Sequence, residues 1–209
     1  MKKVLITIGQ VYFFASILIA PVLAQNELLS SKRVPAATGP SYDFGFGYSF
    51  VRMGMPGGGN VNLNGVDLNG DYDFTSRLGI SLDASYARNA RVLGIHHNAY
   101  LINGLAGPVY YLADRGDTRI FLHALGGVGM VDAAVPVSST SFTYGWVTRP
   151  SYALGGGMER FIAGPMAVRF SADYLRTSFL NPSSVIQPQT NLRVTASILL
   201  FPFRRKGGM

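Results

Sequence analysis

The chain has 209 residues, a length suited to one domain, and a formal net charge of +7. Hydrophobic residues make up 48% of it and charged residues only 14%, against roughly 25% in an average soluble domain. The absence of cysteine excludes a disulfide framework and a thiolate metal site. Basic residues cluster only in the Arg-Arg-Lys run at 204–206, so no stripe for nucleic-acid binding is predicted.

Residues 1–24 have the pattern of a secretory signal peptide. Lys2 and Lys3 precede a long apolar run, and the triplet at 22–24 resembles a small-x-small cleavage site. An uncleaved anchor is the alternative, because the run approaches the ~20 residues that a helical span needs. Pro21 near the end of the run favours cleavage. We expect a polar periplasmic lead-in over 25–40, a folded domain over 41–203 and a basic tail over 204–209.

The segment SYDFGFGYSF at 41–50 alternates without exception between aromatic and small or acidic residues. A period of two predicts a strand with two unlike faces. One face carries Phe44, Phe46 and Tyr48, and the other carries Asp43 among glycines. The first strand is therefore predicted over about 41–53.

Seven further alternating runs predict strands over about 62–74, 77–88, 98–112, 118–130, 149–162, 166–179 and 190–203. In the second run Leu63 is out of phase with the apolar positions that follow it, which predicts a bulge at Gly65. In the fifth run Ile120, Leu122, Ala124 and Val128 are assigned to the outward face. Alternation does not fix the phase of the fourth and eighth runs, and the fifth run is apolar on both faces.

The connections between these runs alternate in length. The predicted long ones are a Gly- and Asn-rich loop after the first strand and loops near 89–97, 131–148 and 180–189, and the short ones lie at 75–77, 113–117 and 163–165. Short turns on one side and long loops on the other are typical of outer-membrane barrels. A soluble sandwich has no reason to alternate its connections in this way.

The two faces of the strands indicate which side meets lipid. A soluble up-and-down barrel would turn its apolar face inward, but the charged face here is too small and glycine-rich to cover a soluble surface. We therefore expect a side-chain-filled lumen with an ion network. Its predicted members are Asp43, Asp67, Asp71, Asp73, Asp83, Glu159, Arg169, Asp173 and Arg193. The predicted lipid-facing residues are Phe44, Phe46, Tyr48, Leu78, Ile80, Leu82, Val168 and Phe170.

Several stretches resemble the OmpA/OmpX-type eight-stranded outer-membrane β-barrels of the porin-like outer-membrane β-barrel domain family, of the acidobacterial kind. They are LNGVDLNGDYDFTSRLGISLDASYAR, LAGPVYYL, FLHALGGVG, ALGGGMERF, AVRFSADYLRTSF and NLRVTASILLFPF. The resemblance implies an all-β, eight-stranded antiparallel up-and-down transmembrane barrel in a Gram-negative outer membrane. It also implies lipid and the outer-membrane insertion machinery as partners, with Phe203 as the insertion signal, although residues 204–209 follow it. We expect a monomer.

Candidate chemical sites in the sequence are weak. His96 and His97 could bind a metal, but adjacent side chains often point apart. His123 has no serine two residues away and is expected to fill the barrel interior as a neutral histidine. The acidic row from Asp67 lacks the glutamate that ends an EF-hand loop. The Gly-Gly-Gly run at 155–157 lacks the helix of a phosphate loop and predicts close packing or strand bending. We expect no catalytic residue, no metal and no cofactor.

The resemblance leaves several functions open, since barrels of this type anchor, adhere, leak solutes or catalyse. The favoured function is a structural or surface-interaction role through external loops, with an unidentified surface ligand. A low-conductance porin is the second, although eight strands leave an interior just wide enough for side chains. A lipid-modifying enzyme and a soluble ligand-binding barrel are minor alternatives, and we do not expect an enzyme.

Overall fold

The computed structural model describes residues 40–54, 59–90, 98–115, 117–132, 135–136, 142–143, 145–163, 165–180 and 186–202. Eight long strands are β1 Ser41–Gly54, β2 Asn60–Asp73, β3 Leu78–Asn89, β4 Ala99–Arg115, β5 Thr118–Asp132, β8 Trp146–Ala163, β9 Met166–Leu180 and β10 Ile186–Leu200. Two short strands, β6 Val135–Pro136 and β7 Phe142–Thr143, pair with each other. The predicted signal peptide, His96, His97, Phe203 and the basic tail lie outside the described residues.

The eight long strands form a closed antiparallel barrel. Each strand pairs with its sequence neighbour among the long strands, and β1 pairs with β10 from Phe44↔Leu200 to Met53↔Asn191. Closure gives every long strand two partners, so the sheet has no open edge whose backbone groups would lie unpaired in lipid. The prediction of an eight-stranded up-and-down barrel is confirmed.

No helix within the described part of the chain is long and apolar enough to cross a membrane.

The strand bounds differ from the predicted ones mainly at one end of the barrel. The strands there extend further into the predicted loops, so that β5 reaches Asp132, β8 begins at Trp146 and β10 begins at Ile186. The segments joining long strands at this end are 55–59, 90–98, 133–145 and 181–185, and those at the other end are 74–77, 116–117 and 164–165. We call the ends the long-loop end and the short-turn end. The predicted alternation holds, but the first long connection hardly exceeds the first short one, because Gly54 pairs with Asn60.

The predicted bulge at Gly65 is wrong. The β1–β2 pairing runs without a register shift from Ser41↔Asp73 to Gly54↔Asn60. Leu63 faces the lumen and is 0% exposed, so its apparent phase error reflects an apolar region inside the barrel. Register shifts occur instead between Tyr111 and Ala113 and between Phe161 and Ala163, next to two short turns.

The two faces of the wall are chemically different along most of its height. Outward apolar side chains are widely exposed, with Phe44 and Phe46 each at 60%. Inward side chains are buried even where they are charged. The outward set assigned to β5 is exposed, and its alternate residues from Arg119 to Leu125 are buried. An apolar exterior around a charged, filled interior is the reverse of a soluble barrel.

Candidate functional site

The lumen is the region where charged and polar side chains converge. All nine residues predicted for the ion network are buried inside the barrel. They lie in the short-turn half and the middle of the barrel. The structure brings them together in two groups, which we call the short-turn cluster and the central cluster.

The short-turn cluster contains Arg169, which spans the barrel from β9. Its Nη2 atom donates hydrogen bonds to Glu159 Oε1 and Asp71 Oδ2, each at 2.5 Å, and its Nε donates to Glu159 Oε1 at 3.1 Å. The guanidinium carbon lies 5.0 Å from the centre of the Phe121 ring. Arg169 therefore ties β9 to β8 and, across the barrel, to β2.

Arg119 on β5 is the second cation of the short-turn cluster. Its Nη2 donates to Asp73 Oδ2 at 2.9 Å, and its Nη1 lies 3.5 Å from Glu159 Oε2. Its guanidinium stacks on the Tyr111 ring at 3.5 Å, and the Tyr111 hydroxyl donates to Asp71 Oδ2 at 3.2 Å. These planar contacts suit arginine better than lysine.

The central cluster surrounds Arg193 on β10. Its Nε donates to Asp173 Oδ2 at 2.8 Å, and its Nη1 donates to Asp83 Oδ1 at 2.6 Å. Asp67 lies further away, with Oδ1 3.9 Å from Nη1. His123 Nε2 lies 2.6 Å from Asp173 Oδ1. Arg193 is 0% exposed, so this guanidinium depends on the protein for all its polar contacts.

Above the central cluster, toward the long-loop end, the lumen is filled by an apolar cluster. Its members are Val51, Met53, Val61, Leu63, Ala87, Ala99, Leu101, Leu105, Leu125, Val131, Ala153 and Leu175. Buried polar side chains at this height bond to each other: Ser151 Oγ donates to Asn103 Oδ1 at 3.2 Å, and Asn103 Nδ2 donates to Ser85 Oγ at 3.4 Å. This half of the interior contrasts with the charged half below it.

The two charged clusters hold more acid than base. Seven carboxylates, those of Asp43, Asp67, Asp71, Asp73, Asp83, Glu159 and Asp173, face three guanidinium groups, those of Arg119, Arg169 and Arg193. Asp43 is the least well bound, because neither carboxylate oxygen has a hydrogen-bond partner among the described residues. The nearest cationic contact of Asp43 is Arg169 Nη2 at 3.8 Å. This contact is within the range of an ion pair but too long for a hydrogen bond.

Three members of the network were not predicted as such, although His123 was expected in the barrel interior. Arg119 and His123 lie on the assigned inward face of β5, but they were not assigned to the ion network. Tyr111 lies on β4, whose phase the alternation did not fix. Arg119 could have been assigned to the network from the sequence, because it is a charged residue on the inward face of an otherwise apolar strand.

The small residues of the wall serve close packing, as predicted. A Cβ atom added at Gly155 would collide with Asp173, and one added at Gly45 would collide with the Asn69 side chain. Glycine at these two positions lets larger side chains of the neighbouring strands lie against the backbone. No group of three or more potential metal ligands occurs within the described part of the chain.

The residues predicted to face lipid lie on the outer surface. Seven of them are exposed, namely Phe44, Phe46, Tyr48, Leu78, Ile80, Leu82 and Phe170, and Val168 is half-buried. Aromatic contacts continue around the outer surface near the long-loop end, where Tyr100 lies between Tyr86 and Trp146 at centroid distances of 6.2 and 6.3 Å. Such girdles mark the membrane interfaces of barrels.

The fold is similar to those of solved bacterial barrels. Neisserial surface protein A superposes with a TM-score of 0.61 at 11% identity, over 78% of this chain and 98% of that chain. Ail, the attachment invasion locus protein of Yersinia pestis, in complex with the heparin analogue sucrose octasulfate, superposes with a TM-score of 0.56 at 17% identity, over 78% of this chain and 99% of that one. No protein-family model matches the chain, and no curated protein matches it in sequence.

At these identities the likeness concerns the fold. It confirms the predicted resemblance to eight-stranded outer-membrane β-barrels, and the acidobacterial kind stays a prediction. A closed barrel of this fold with an apolar outer surface is located in the outer membrane, in contact with lipid.

Proposed function

We propose that this outer-membrane barrel is closed to solutes and acts at the cell surface through its long-loop end. The filled lumen carries the proposal. Fully buried side chains occur both in the charged half, with Arg193 and Glu159, and in the apolar half, with Leu63, Leu101 and Leu175. An ion crossing the barrel would have to displace both kinds of packing in turn.

The apolar half is the harder barrier for an ion. A charge that enters this layer loses its hydration, and the neutral polar side chains there already bond to each other. In the charged half, a passing cation would compete with the three arginines for carboxylates that they already bind. Both barriers lie in series along one path, so each alone is sufficient to close it.

The surface role is supported by the placement of the longer connections. The two longest segments between barrel strands, 90–98 and 133–145, both lie at the long-loop end. Long loops face the outside in outer-membrane barrels. One similar structure is named a surface protein and another an attachment protein, and we extend such a surface role to this chain as part of the proposal.

A low-conductance porin is the second candidate, because the surplus of carboxylates in the lumen would favour cations over anions. Liposome swelling separates the two functions. Vesicles containing the refolded protein should swell in small sugars no faster than protein-free vesicles, whereas vesicles with a sixteen-stranded porin should swell rapidly. Protein-dependent swelling would support the porin and contradict the closed barrel.

Orientation is tested with peptide tags. A tag inserted within residues 137–141 should be labelled on intact cells, and a tag between Thr75 and Ser76 should be labelled only after the outer membrane is opened. The second tag is the matched control, because it lies in a short turn of the same barrel. Labelling of the second tag on intact cells would reverse the proposed orientation.

The proposal includes neither catalysis nor a subunit partner. His123 is buried and its Nε2 atom already contacts Asp173, which supports a structural role for this histidine. We propose that the protein is a monomer inserted by the outer-membrane insertion machinery, with Phe203 as the signal that the machinery reads. Deleting residues 203–209 should reduce insertion more than deleting 204–209, as measured by the fraction of heat-modifiable protein in membranes.

A further inference from the structure

Three strands that run toward the long-loop end finish their outward face in the same way. Along β9 the outward residues Met166, Val168, Phe170 and Ala172 are followed by Tyr174 and then by Arg176. On β3 the outward alternation ends in Tyr86 and Arg88, and on β1 it ends in Phe50 and Arg52. The apolar surface is thus bordered by aromatic rings and, one step further, by arginines. We call Arg52, Arg88 and Arg176 the arginine ring.

Positive charge predominates at the arginine ring in the described part of the protein. All three side chains are exposed, and none forms an ion pair with a described residue. Asp132 is the only outward carboxylate described at this end. At the short-turn end, by contrast, Arg160 Nε lies 3.4 Å from Asp117 Oδ2. The three arginines therefore give the described outer surface a surplus of positive charge at the long-loop end.

Arg176 also borders an apolar groove of about 540 Å³ on the outer surface. Its outward lining residues are Ala124 and Gly126 of β5, Tyr152 and Leu154 of β8, and Tyr174 and Arg176 of β9. The register places Gly126, Tyr152 and Arg176 in one row, and Ala124, Leu154 and Tyr174 in the next row toward the short-turn end. The groove therefore descends from a cation into the apolar region of the wall.

We propose that the groove and the arginine ring bind a phosphorylated lipid of the outer leaflet. An acyl chain lies in the groove, against Leu154 and above Gly126, and a headgroup phosphate binds the guanidinium of Arg176. Arginine forms paired hydrogen bonds with phosphate, and its position just beyond the aromatic girdle is the height at which lipid phosphates lie. Arg52 and Arg88 bind phosphates of lipids elsewhere around the barrel.

Charge complementarity favours a lipid over a second copy of the chain. A second copy would place arginine against arginine, because the same ring would face itself. The combination of a cation at the interface and an apolar groove below it matches one molecule that has an anionic head and an acyl chain. Only the choice of the outer leaflet rests on the function proposed above, because that proposal places the long-loop end outside the cell.

The test uses the refolded full barrel in detergent and measures lipid binding directly. Diphosphorylated lipid A and its dephosphorylated form are the two probes, and retained lipid is counted by native mass spectrometry. Trp146, the only tryptophan of the chain, is 49% exposed at the same end and gives a fluorescence titration as a second readout. We expect the phosphorylated probe to be retained and the dephosphorylated one to be lost.

The variant R52Q/R88Q/R176Q removes the arginine ring. We expect it to bind the phosphorylated probe about 100-fold more weakly, because each basic residue at a membrane interface contributes about a factor of five. The matched control is R77Q/R160Q, which removes two arginines from the opposite end and should bind as the parent does. All three proteins should show the same heat-modifiable migration, since these arginines are not buried.

The groove is tested separately with Gly126→Leu. An added Cβ would lie 3.6 Å from the Tyr152 ring, an ordinary contact, so the variant should fold while its side chain fills the groove. We expect weaker retention of the phosphorylated probe, with Ala84→Leu on β3 as an unaffected control.

Equal retention of both probes by the parent, or unchanged binding by either the triple variant or Gly126→Leu, would overturn the proposal. These results do not depend on whether the lumen conducts, so the two proposals fail independently.

Discussion

The short-turn half and the long-loop half of the lumen are closed by different physical means. In the first, three arginines reach across the barrel to carboxylates on other strands. In the second, aliphatic side chains from seven strands pack together without charge. The charged half depends on a balance of partners, so loss of one cation affects several residues. The apolar half depends on volume, so a loss there stays local.

Arg193→Met should have the largest effect, because it removes a cation from the charged half of the lumen. It removes the only arginine of the central cluster and leaves Asp83 and Asp173 buried without their main partner. Removing one partner of a buried ion pair costs about 3–5 kcal/mol. Urea unfolding in lipid vesicles measures the loss. Arg77→Met, at an exposed turn position, is the control, and a loss of stability equal to that control would contradict the account.

Leu63→Ala tests the apolar side. Leu63 is 0% exposed, and truncating a buried leucine costs about 2–5 kcal/mol. Leu68→Ala on the same strand is the matched control, because Leu68 faces outward and is 54% exposed. A larger loss for Leu68 than for Leu63 in the same unfolding experiment would show that the two faces of β2 are wrongly assigned.

Phe46→Arg extends the comparison from the lumen to the outer wall. An arginine on the lipid face near the membrane midplane costs about 2–4 kcal/mol. Phe44→Arg, nearer the short-turn end, should cost less, because the penalty falls toward the interface. The fraction of folded protein after refolding into vesicles measures both. A Phe46→Arg barrel as stable as the parent would mean that this face does not contact lipid.

Asp43→Asn should have the smallest effect, although Asp43 also lies in the charged half. The Asp43 carboxylate has no hydrogen-bond partner among the residues that the structure describes, and it lies in a group with excess acid. Neutralising it should change stability by less than about 1 kcal/mol, in either direction. Asp71→Asn should cost clearly more, since Asp71 accepts bonds from Arg169 and Tyr111. Equal losses in the two variants, measured by urea unfolding, would refute this difference.

Strand alternation was sufficient to predict most of the barrel, because one face of each strand meets lipid and the other meets a crowded interior. It assigned Asp67 and Asp71 to the face opposite Val66 and Leu68, and the structure buries the acids and exposes the apolar pair. Alternation did not predict the orientation of Leu63. At its height the lumen is apolar, so the inward and outward faces of the strand do not differ in polarity. The bulge inferred at Gly65 came from that failure.

The contacts within the network could not be predicted from the sequence. Alternation shows which residues point inward, but the pairing of Arg193 with Asp83 joins residues 110 positions apart. Such a pair depends on the register between the strands and on the position that the charged end of a long side chain reaches on the opposite wall of the barrel. The arginine ring could not be predicted from the sequence for a similar reason. Each of its residues ends an ordinary alternating run, and their common height is evident only when the strands are aligned.

Planar-bilayer recording of the refolded protein shows whether the lumen is closed at both the charged and the apolar half. We expect the parent barrel to give no steady current above that of a protein-free bilayer. Leu63→Ala should also remain silent, because the charged half still closes the path. Steady open-channel currents from the parent barrel would contradict the account.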